Sequence, residues 1–203
     1  MTEFKNALKI LKLNDFRLGK VIDLIKPEYN NKKSDEFTSL VKIIIGQQLS
    51  GSAARTIVSR VEQCLNEKKF SPKLISSVHQ EDLRSCGISN AKTSYIKGLS
   101  DILLDNPKFF IDLRNNKENK ILEELCKIKG IGIWTASIFT MGTLDYENIF
   151  PYGDVSLIKA IRTIYGEKRS IEKVISNWSP YKSFGCRVLW QWVDTGMPKL
   201  DLK

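Results

Sequence analysis

Apolar residues recur along this chain at the spacing of an α-helix, and this periodicity limits the possible folds more than any other feature. In residues 50–65 one helical face carries Ala53, Ala54, Ile57, Val58, Val61 and Leu65. Ser50 precedes this stripe, where its hydroxyl can cap the helix start. No run of alternating polar and apolar residues is long enough for a sheet of several strands. The sequence therefore predicts an all-α fold.

Two polar stretches, 28–35 and 114–120, interrupt the helical pattern. We interpret them as linkers within a single module that covers residues 1–203. A middle helical lobe is then predicted over about 36–112, and a C-terminal lobe over about 118–203. The N-terminal helices are expected to pack on the C-terminal lobe.

The charge balance is basic, with 32 Lys and Arg against 23 Asp and Glu and a net charge of +9. An excess of this size favours a polyanionic partner such as nucleic acid. No apolar run approaches the ~18 residues of a membrane span, and the N-terminal residues lack the features of a secretory signal. We therefore expect no membrane association and a cytoplasmic, nucleoid-associated location, or a nuclear one in a eukaryote.

Cysteine and histidine are too sparse for most metal chemistry. The four cysteines, Cys64, Cys86, Cys126 and Cys186, lie far apart, and His79 is the single histidine. This spacing fits neither a zinc site nor the thiolate ligands of an iron–sulfur cluster. Any Ser-His or Cys-His nucleophilic pair would have to use His79, which lies in a polar connection.

Residues 125–136, with the sequence LCKIKGIGIWTA, join two helical patterns through a Gly-x-Gly turn. Gly130 and Gly132 suit a turn that needs unusual φ values and that brings bare backbone N–H groups of a helix start against an anion. Phosphate is the expected guest. An ordinary helix–helix connection is the alternative on the glycines alone.

The whole string resembles the helix-hairpin-helix of the base-excision DNA glycosylases, the HhH-GPD superfamily. Three further segments carry the resemblance: IIGQQLS at 44–50, FPYGDVSL at 150–157 and WSPYKS at 178–183. Together they cover roughly residues 36–195, and the DNA-3-methyladenine glycosylase II branch is the most similar. The resemblance implies a two-lobed helical fold and an enzyme of base excision repair that acts as a monomer on double-stranded DNA containing damaged bases.

In that family the hairpin grips the DNA backbone without reading sequence. By position, the DNA-binding residues of the hairpin are Lys129, Gly130, Ile131, Gly132 and Thr135. The resemblance also implies a Na⁺ or K⁺ ion that is bound only with DNA, held by the backbone carbonyls of Cys126, Ile128 and Gly130. No cofactor is expected for the chemistry, and no iron–sulfur cluster.

Trp134 and Asp154 indicate the reaction. Bifunctional members carry a nucleophilic lysine where this chain has Trp134, and an indole cannot attack a sugar carbon. The resemblance thus implies a monofunctional glycosylase without lyase activity, in which water is the nucleophile. Asp154, twenty residues after Trp134, matches the catalytic aspartate, which stabilises positive charge on the deoxyribose and assists the water. A plain helix cap is the alternative role for Asp154.

The resemblance implies that Trp134, Trp190, Ile138 and Val155 are the substrate-binding positions. Tryptophan walls favour a cationic base, such as a purine methylated at N3 or N7, by roughly 0.5–2 kcal/mol per contact. Ile138 and Val155 stand where some family members have tyrosines, which makes the pocket less aromatic. The predicted product is an abasic site.

Gln48 and Leu49 match the residues that enter the gap left by a flipped base, and the sequence does not decide which of them is the wedge. The alternative is that Gln47 and Gln48 only end a helix. Lys92 and Lys97 are candidates for phosphate contacts or for a solvated helix face.

Two other functions remain open at this stage. One is a monofunctional glycosylase for deaminated or oxidised purines. The other is a non-catalytic helix-hairpin-helix protein that binds damaged DNA.

Overall fold

The computed structural model describes residues 2–29 and 34–201, and in these ranges every regular element is a helix. The helices are α1 Thr2–Asn14, α2 Phe16–Ile25, α3 Glu36–Gly46, α4 Gly51–Cys64, α5 Pro72–Ser77, α6 Gln80–Ser85, α7 Asn90–Asp105, α8 Phe109–Arg114, α9 Glu118–Cys126, α10 Ile133–Gly142, α11 Val155–Tyr165, α12 Ile171–Ser176 and α13 Lys182–Asp194. The predicted all-α class is confirmed. Within the described ranges no helix has the length and apolar character to cross a bilayer.

The chain divides into two compact units. The first unit comprises Met1–Asn31 and Asp145–Lys203, and the second comprises Lys32–Leu144. The first unit therefore contains α1, α2 and α11–α13, whereas the second contains α3–α10.

In the first unit α13 packs against α1, α2 and α11. Trp178 and Trp192 are almost completely buried there. Each indole N–H donates a hydrogen bond, from Trp178 to Asp15 at 2.9 Å and from Trp192 to the Pro198 carbonyl at 3.2 Å. Burial of these large side chains stabilises the unit without leaving a polar atom unpaired.

Asp15 is a buried carboxylate between the two chain segments of the first unit. Its Oδ1 caps α2 by accepting from the Leu18 N–H at 3.0 Å. Its Oδ2 accepts from the Tyr165 hydroxyl at 2.6 Å and from the Trp178 indole at 2.9 Å. Three donors thus satisfy one buried acid, which is the condition for burying a charge at tolerable cost.

In the second unit α3 lies at the centre and packs against α4, α7 and α10. Its buried face includes Ile44 and Ile45, as the apolar period predicts. Helix α7 also packs against α5, and α10 against α9. The rings of Phe110 and Phe139 extend this core, with centroids 5.6 Å apart.

The predicted lobe boundary near residue 118 is corrected by the structure. The stretch 114–120 forms a short connection between α8 and α9 inside the second unit. Because α10 packs on α3, the segment 125–136 belongs with the middle helices, and the boundary follows α10 at Leu144. Of the other predicted linker, 28–35, residues 30–33 lie outside the described residues.

Candidate functional site

The Gly-x-Gly turn joins α9, which ends at Cys126, to α10, which begins at Ile133. Gly130 has φ +89°, a conformation that L side chains rarely adopt. A Cβ there would lie 2.2 Å from Cγ of Tyr95. Two independent constraints, backbone conformation and the Tyr95 ring, therefore require glycine at position 130.

Gly132 is the N-cap of α10 and supplies no side-chain hydrogen bond. The first N–H groups of a helix have no intrahelical partner, so their partial positive charge is available to an anion. Lys129 is exposed beside them, whereas the Lys127 ammonium pairs with Glu124 at 2.8 Å. Ile131 is buried and holds the turn in the core. This arrangement suits a phosphate group.

The residues expected to hold an alkali cation, Cys126, Ile128 and Gly130, line one groove of about 500 Å³ in the second unit. The Ile128 carbonyl accepts from the Ile131 N–H at 3.0 Å, and the Gly130 carbonyl accepts from Nε2 of Gln47 at 2.8 Å. A carbonyl oxygen has two lone pairs, so the Ile128 and Gly130 carbonyls each keep one for a cation, and the residues fit the ion. The described residues contain no cluster of three or more His, Cys, Asp or Glu able to hold a metal.

Gln48 lies in a tight turn that follows α3. Gln47 has φ −52° and ψ 134°, Gln48 has φ +58°, and the Leu49 N–H donates to the Gly46 carbonyl at 3.2 Å. These values fit a type II turn with Gln48 at the position that usually requires glycine. Gln48 is exposed and Leu49 is 38% exposed, so both candidate wedge residues are at the surface.

Lys92 and Gln47 support this turn, and sequence reasoning missed both roles. The Lys92 ammonium donates to the carbonyls of Ile45 at 2.8 Å and Gln47 at 2.6 Å. The Gln47 side chain donates to the Gly130 carbonyl at 2.8 Å and to Oγ1 of Thr135 at 2.9 Å. Partial burial lowers the pKa of Lys92 below its ordinary value.

Lys97 has a comparable role in the same unit. Its ammonium donates to the carbonyls of Ser76, at 2.9 Å, and Val78. Lys92 and Lys97 thus bind backbone carbonyls within the second unit. Their position on a helix gives no sequence signal for this, since a helical lysine normally faces solvent.

Asp154 caps α11, as its place before a predicted helix indicates. Its Oδ1 accepts from the Leu157 N–H at 2.9 Å and from the Trp190 indole at 3.4 Å. The side chain is 9% exposed, and Gly153 precedes it with φ +88°. A negative charge is favoured at a helix start by the N–H groups and the helix dipole.

The surroundings of Trp190, which donates to Asp154, are aromatic and cationic. Trp190 lines a cavity of about 400 Å³ together with Tyr29, Arg187 and Gln191. The Arg187 guanidinium lies over the Tyr29 ring, 5.2 Å from its centroid. Burial, and secondarily the charge of Asp154, raises the pKa of the neighbouring Cys186 thiol, which keeps it neutral.

Val155 is the first residue of α11 and is 78% exposed. Trp134 and Ile138 are in α10, one helical turn apart on the same face, and both are partly buried. The structure brings Asp154, Val155 and Trp190 together in the first unit. It brings the hairpin and the 46–49 turn together in the second, which also contains Trp134 and Ile138.

Comparisons with known proteins agree with these features. Residues 41–179 match the HhH-GPD superfamily of base excision DNA repair proteins. The alkylbase DNA glycosidase-like protein mag2 of Schizosaccharomyces pombe is 27% identical, and the alignment covers 100% of this chain and 97% of that protein.

Two solved structures have the same fold. The DNA-3-methyladenine glycosidase of Bacillus halodurans is 30% identical with a TM-score of 0.79, over 96% of this chain and 92% of that one. The S. pombe 3-methyladenine DNA glycosylase Mag1, in complex with abasic DNA, has a TM-score of 0.83 at 21% identity, over 93% and 97% of the two chains. The predicted family is confirmed: the chain belongs to the HhH-GPD superfamily of base excision DNA repair proteins.

Proposed function

We propose that this protein is a monofunctional DNA glycosylase that flips an alkylated purine out of duplex DNA, hydrolyses its N-glycosidic bond and leaves an abasic site. The names of its relatives support this substrate class. The observation that carries the proposal is Asp154, a nearly buried carboxylate at a helix start beside the Trp190 indole.

In the proposed reaction the C1′–N bond breaks and its electron pair goes to the purine. A purine methylated at N3 or N7 carries positive charge, so this pair neutralises the leaving base and no general acid is needed. Positive charge develops on the deoxyribose, where the negative Asp154 side chain stabilises it. The oxygen of a water molecule then bonds to C1′, and its proton passes to Asp154 and on to solvent.

Water is the proposed nucleophile because Trp134 stands where a lyase of this family has its lysine. The nearest amines along the chain, Lys127 and Lys129, precede α10. Lys127 is paired with Glu124. The N-glycosidic bond is therefore hydrolysed, and the DNA strand is not cut.

The flipped base is proposed to contact Trp134 and Trp190, whose π faces favour a cationic purine over a neutral one. Ile138 and Val155 offer no π face, which weakens the preference for a cationic base, and deaminated or oxidised purines are the second candidate class. Competition between duplexes that each carry one defined lesion separates the two classes.

The hairpin is proposed to hold the DNA backbone through Lys129 and the N–H groups at the start of α10. Gln48 or Leu49 fills the gap left by the flipped base. The alkali cation, when bound at the carbonyls of Cys126, Ile128 and Gly130, supplies positive charge against a phosphate. We propose that the protein does this as a monomer, in the compartment that contains genomic DNA.

The test is Asp154→Asn, assayed for release of methylpurines from methylated duplex DNA. Loss of an electrostatic stabiliser of this kind lowers the rate by about 10²–10³-fold. The matched control is Asp35→Asn, because Asp35 caps α3 in the same way, by accepting from the Thr38 N–H at 2.8 Å. We expect the control to retain wild-type activity.

Three results would contradict the proposal. The first is that Asp154→Asn releases bases as fast as wild type. The second is tight binding of damaged DNA by the wild-type protein with no abasic product, which identifies a binding protein. The third is a covalent adduct trapped by borohydride, which identifies a lyase.

A further inference from the structure

The turn after α3 holds an exposed glutamine in a conformation that suits glycine. Gln48 has φ +58° with its side chain in solvent. Residues other than glycine, asparagine and aspartate seldom adopt this region unless neighbouring contacts impose it. The contacts that impose it here come from two other parts of the second unit.

The first contact is the Lys92 ammonium. It reaches in from α7 and donates to the carbonyls of Ile45 and Gln47, at 2.8 and 2.6 Å. Ile45 is in the last turn of α3, where carbonyls lack intrahelical partners and a cation complements the helix dipole. The Gln47 carbonyl belongs to the peptide that leads into Gln48. Lys92 therefore fixes the peptide plane on which the φ of Gln48 depends.

The second contact is the side chain of Gln47. Its amide donates to the Gly130 carbonyl and to Thr135 Oγ1, at 2.8 and 2.9 Å. Tyr95, one helical turn after Lys92 on α7, packs against Gly130. The turn at 46–49, the hairpin turn and the start of α7 thus form one hydrogen-bonded body in the second unit.

We propose that Lys92 is a positioning residue that holds the Gln48–Leu49 wedge in its protruding form before DNA binds, and that Gln47 sets the distance of this wedge from the hairpin. The inference rests on the proposed function, in which the wedge occupies the gap left by the base. A turn that is already ordered does not lose conformational freedom when it enters the duplex, so its insertion is favoured.

This role predicts a dependence on the substrate. Lys92→Met removes the ammonium but keeps much of the side-chain volume. On a lesion in paired duplex DNA we expect about a tenfold lower single-turnover rate, the factor that corresponds to one charge-assisted hydrogen bond. On the same lesion in single-stranded DNA the base needs no displacement from a stack, so we expect the rate to stay within about twofold of wild type.

Lys97→Met is the matched control. Lys97 is on the same helix and its ammonium also binds two backbone carbonyls, those of Ser76 and Val78. It supports no residue of the wedge or the hairpin. Any loss caused by this substitution should be equal on the two substrates.

A triple mutant tests whether Lys92 acts through the Gln48–Leu49 wedge. In a Gln48→Ala, Leu49→Ala background, Lys92→Met should cause no further loss of the single-turnover rate on duplex DNA. In the otherwise wild-type protein, Lys92→Arg should keep more of this rate than Lys92→Met does. The positioning role is overturned if Lys92→Met lowers the rates on duplex and single-stranded DNA equally. It is also overturned if Lys92→Met has its full effect in the Gln48→Ala, Leu49→Ala background. If Lys92→Met does not fold, Gln47→Leu is subjected to the same comparison.

A binding assay separates this inference from the proposed function. The probe is a duplex with 2-aminopurine opposite a tetrahydrofuran abasic analogue, in which the wedge changes the fluorescence without any base being released. We expect wild type and Lys97→Met to produce this change in fluorescence, and Lys92→Met to produce none. A wild-type protein that gives this signal but releases no base from any lesion contradicts the glycosylase and leaves the positioning role standing. An unchanged signal with Lys92→Met overturns the positioning role whatever the activity.

Discussion

Asp15 and Asp154 are two aspartates of the first unit with nearly the same local structure. Each caps a helix through Oδ1, by accepting from the N–H three residues later. Each also accepts from a tryptophan indole. The difference is the oxygen that the indole reaches: Trp178 donates to Oδ2 of Asp15 at 2.9 Å, whereas Trp190 donates to Oδ1 of Asp154 at 3.4 Å.

Asp15 therefore uses both oxygens to join parts of the core, with the Tyr165 hydroxyl as third donor. The cap and the indole of Asp154 meet on a single oxygen, and the indole bond is long. The same residue type at the same helix position thus joins parts of the core in one place and, in the proposed function, serves the chemistry in the other. The two aspartates differ in which oxygen the indole reaches and in the length of that hydrogen bond.

The largest expected effect comes from Asp154→Asn, with a fall in activity of about 10²–10³-fold. Its stability should fall less than that of Asp15→Asn, because asparagine caps helices as well as aspartate and keeps an oxygen for the Leu157 N–H and the Trp190 indole. The glycosylase assay checks the fall in activity, and urea unfolding of the same variant checks the change in stability. A parallel loss of stability would place Asp154 with Asp15.

Asp15→Asn should show the opposite pattern. The new NH₂ group would face the Tyr165 and Trp178 donors without a lone pair to offer, so we expect the free energy of unfolding to fall by about 2–4 kcal/mol. Activity per folded molecule, measured below the unfolding transition, should stay near wild type. A loss of stability below about 1 kcal/mol contradicts the anchoring role of Asp15.

The Tyr165 hydroxyl, which donates to Asp15, makes the stability of the protein depend on pH. Burial, and then the charge of Asp15, raises the pKa of Tyr165 well above its ordinary value. Above about pH 10 an unfolded tyrosine loses its proton while the folded one keeps it, so this group lowers stability by about 1.4 kcal/mol per pH unit there and has no effect at neutral pH. Unfolding of wild type and Tyr165→Phe between pH 9 and 11 checks the slope, which should be shallower in the variant.

The smallest effect on stability is expected at Trp190. Trp190→Phe removes a long 3.4 Å hydrogen bond and part of a ring that is only partly buried, so stability should change by less than about 1 kcal/mol. Trp178→Phe removes a 2.9 Å bond in the core and should cost about 2 kcal/mol or more. Equal thermal shifts in the two variants would remove the distinction between the two aspartates.

The all-α class, the Gly-x-Gly turn and the start of α11 could be predicted from sequence because their signals are local. The Gly-x-Gly turn lies between helices at 125–136, and α11 begins directly after Asp154, as their patterns indicate. The lobe boundary could not be predicted. Polar composition at 114–120 marks any exposed turn, and only the packing of α10 on α3 shows which unit the hairpin joins.

The contacts of Lys92 and Gln47 were also beyond sequence reasoning. Three of their four partners are backbone carbonyls, which carry no residue identity, and the fourth is Thr135 Oγ1. The Gly130 carbonyl is 83 positions from Gln47 along the chain. The hydrogen bonds of the Trp178 and Trp190 indoles could not be predicted either, because the local sequence does not determine which aspartate oxygen each indole reaches.

The division of the first unit between the two ends of the described chain has a consequence for synthesis on the ribosome. Helices α3–α10 form an uninterrupted segment, so the second unit can complete its core once Leu144 has left the exit tunnel. Helices α1 and α2 precede this segment, yet they pack against α13, which follows it. The apolar faces that α13 covers therefore stay exposed until the whole second unit and α13 have been made, and in that interval they are sites for aggregation.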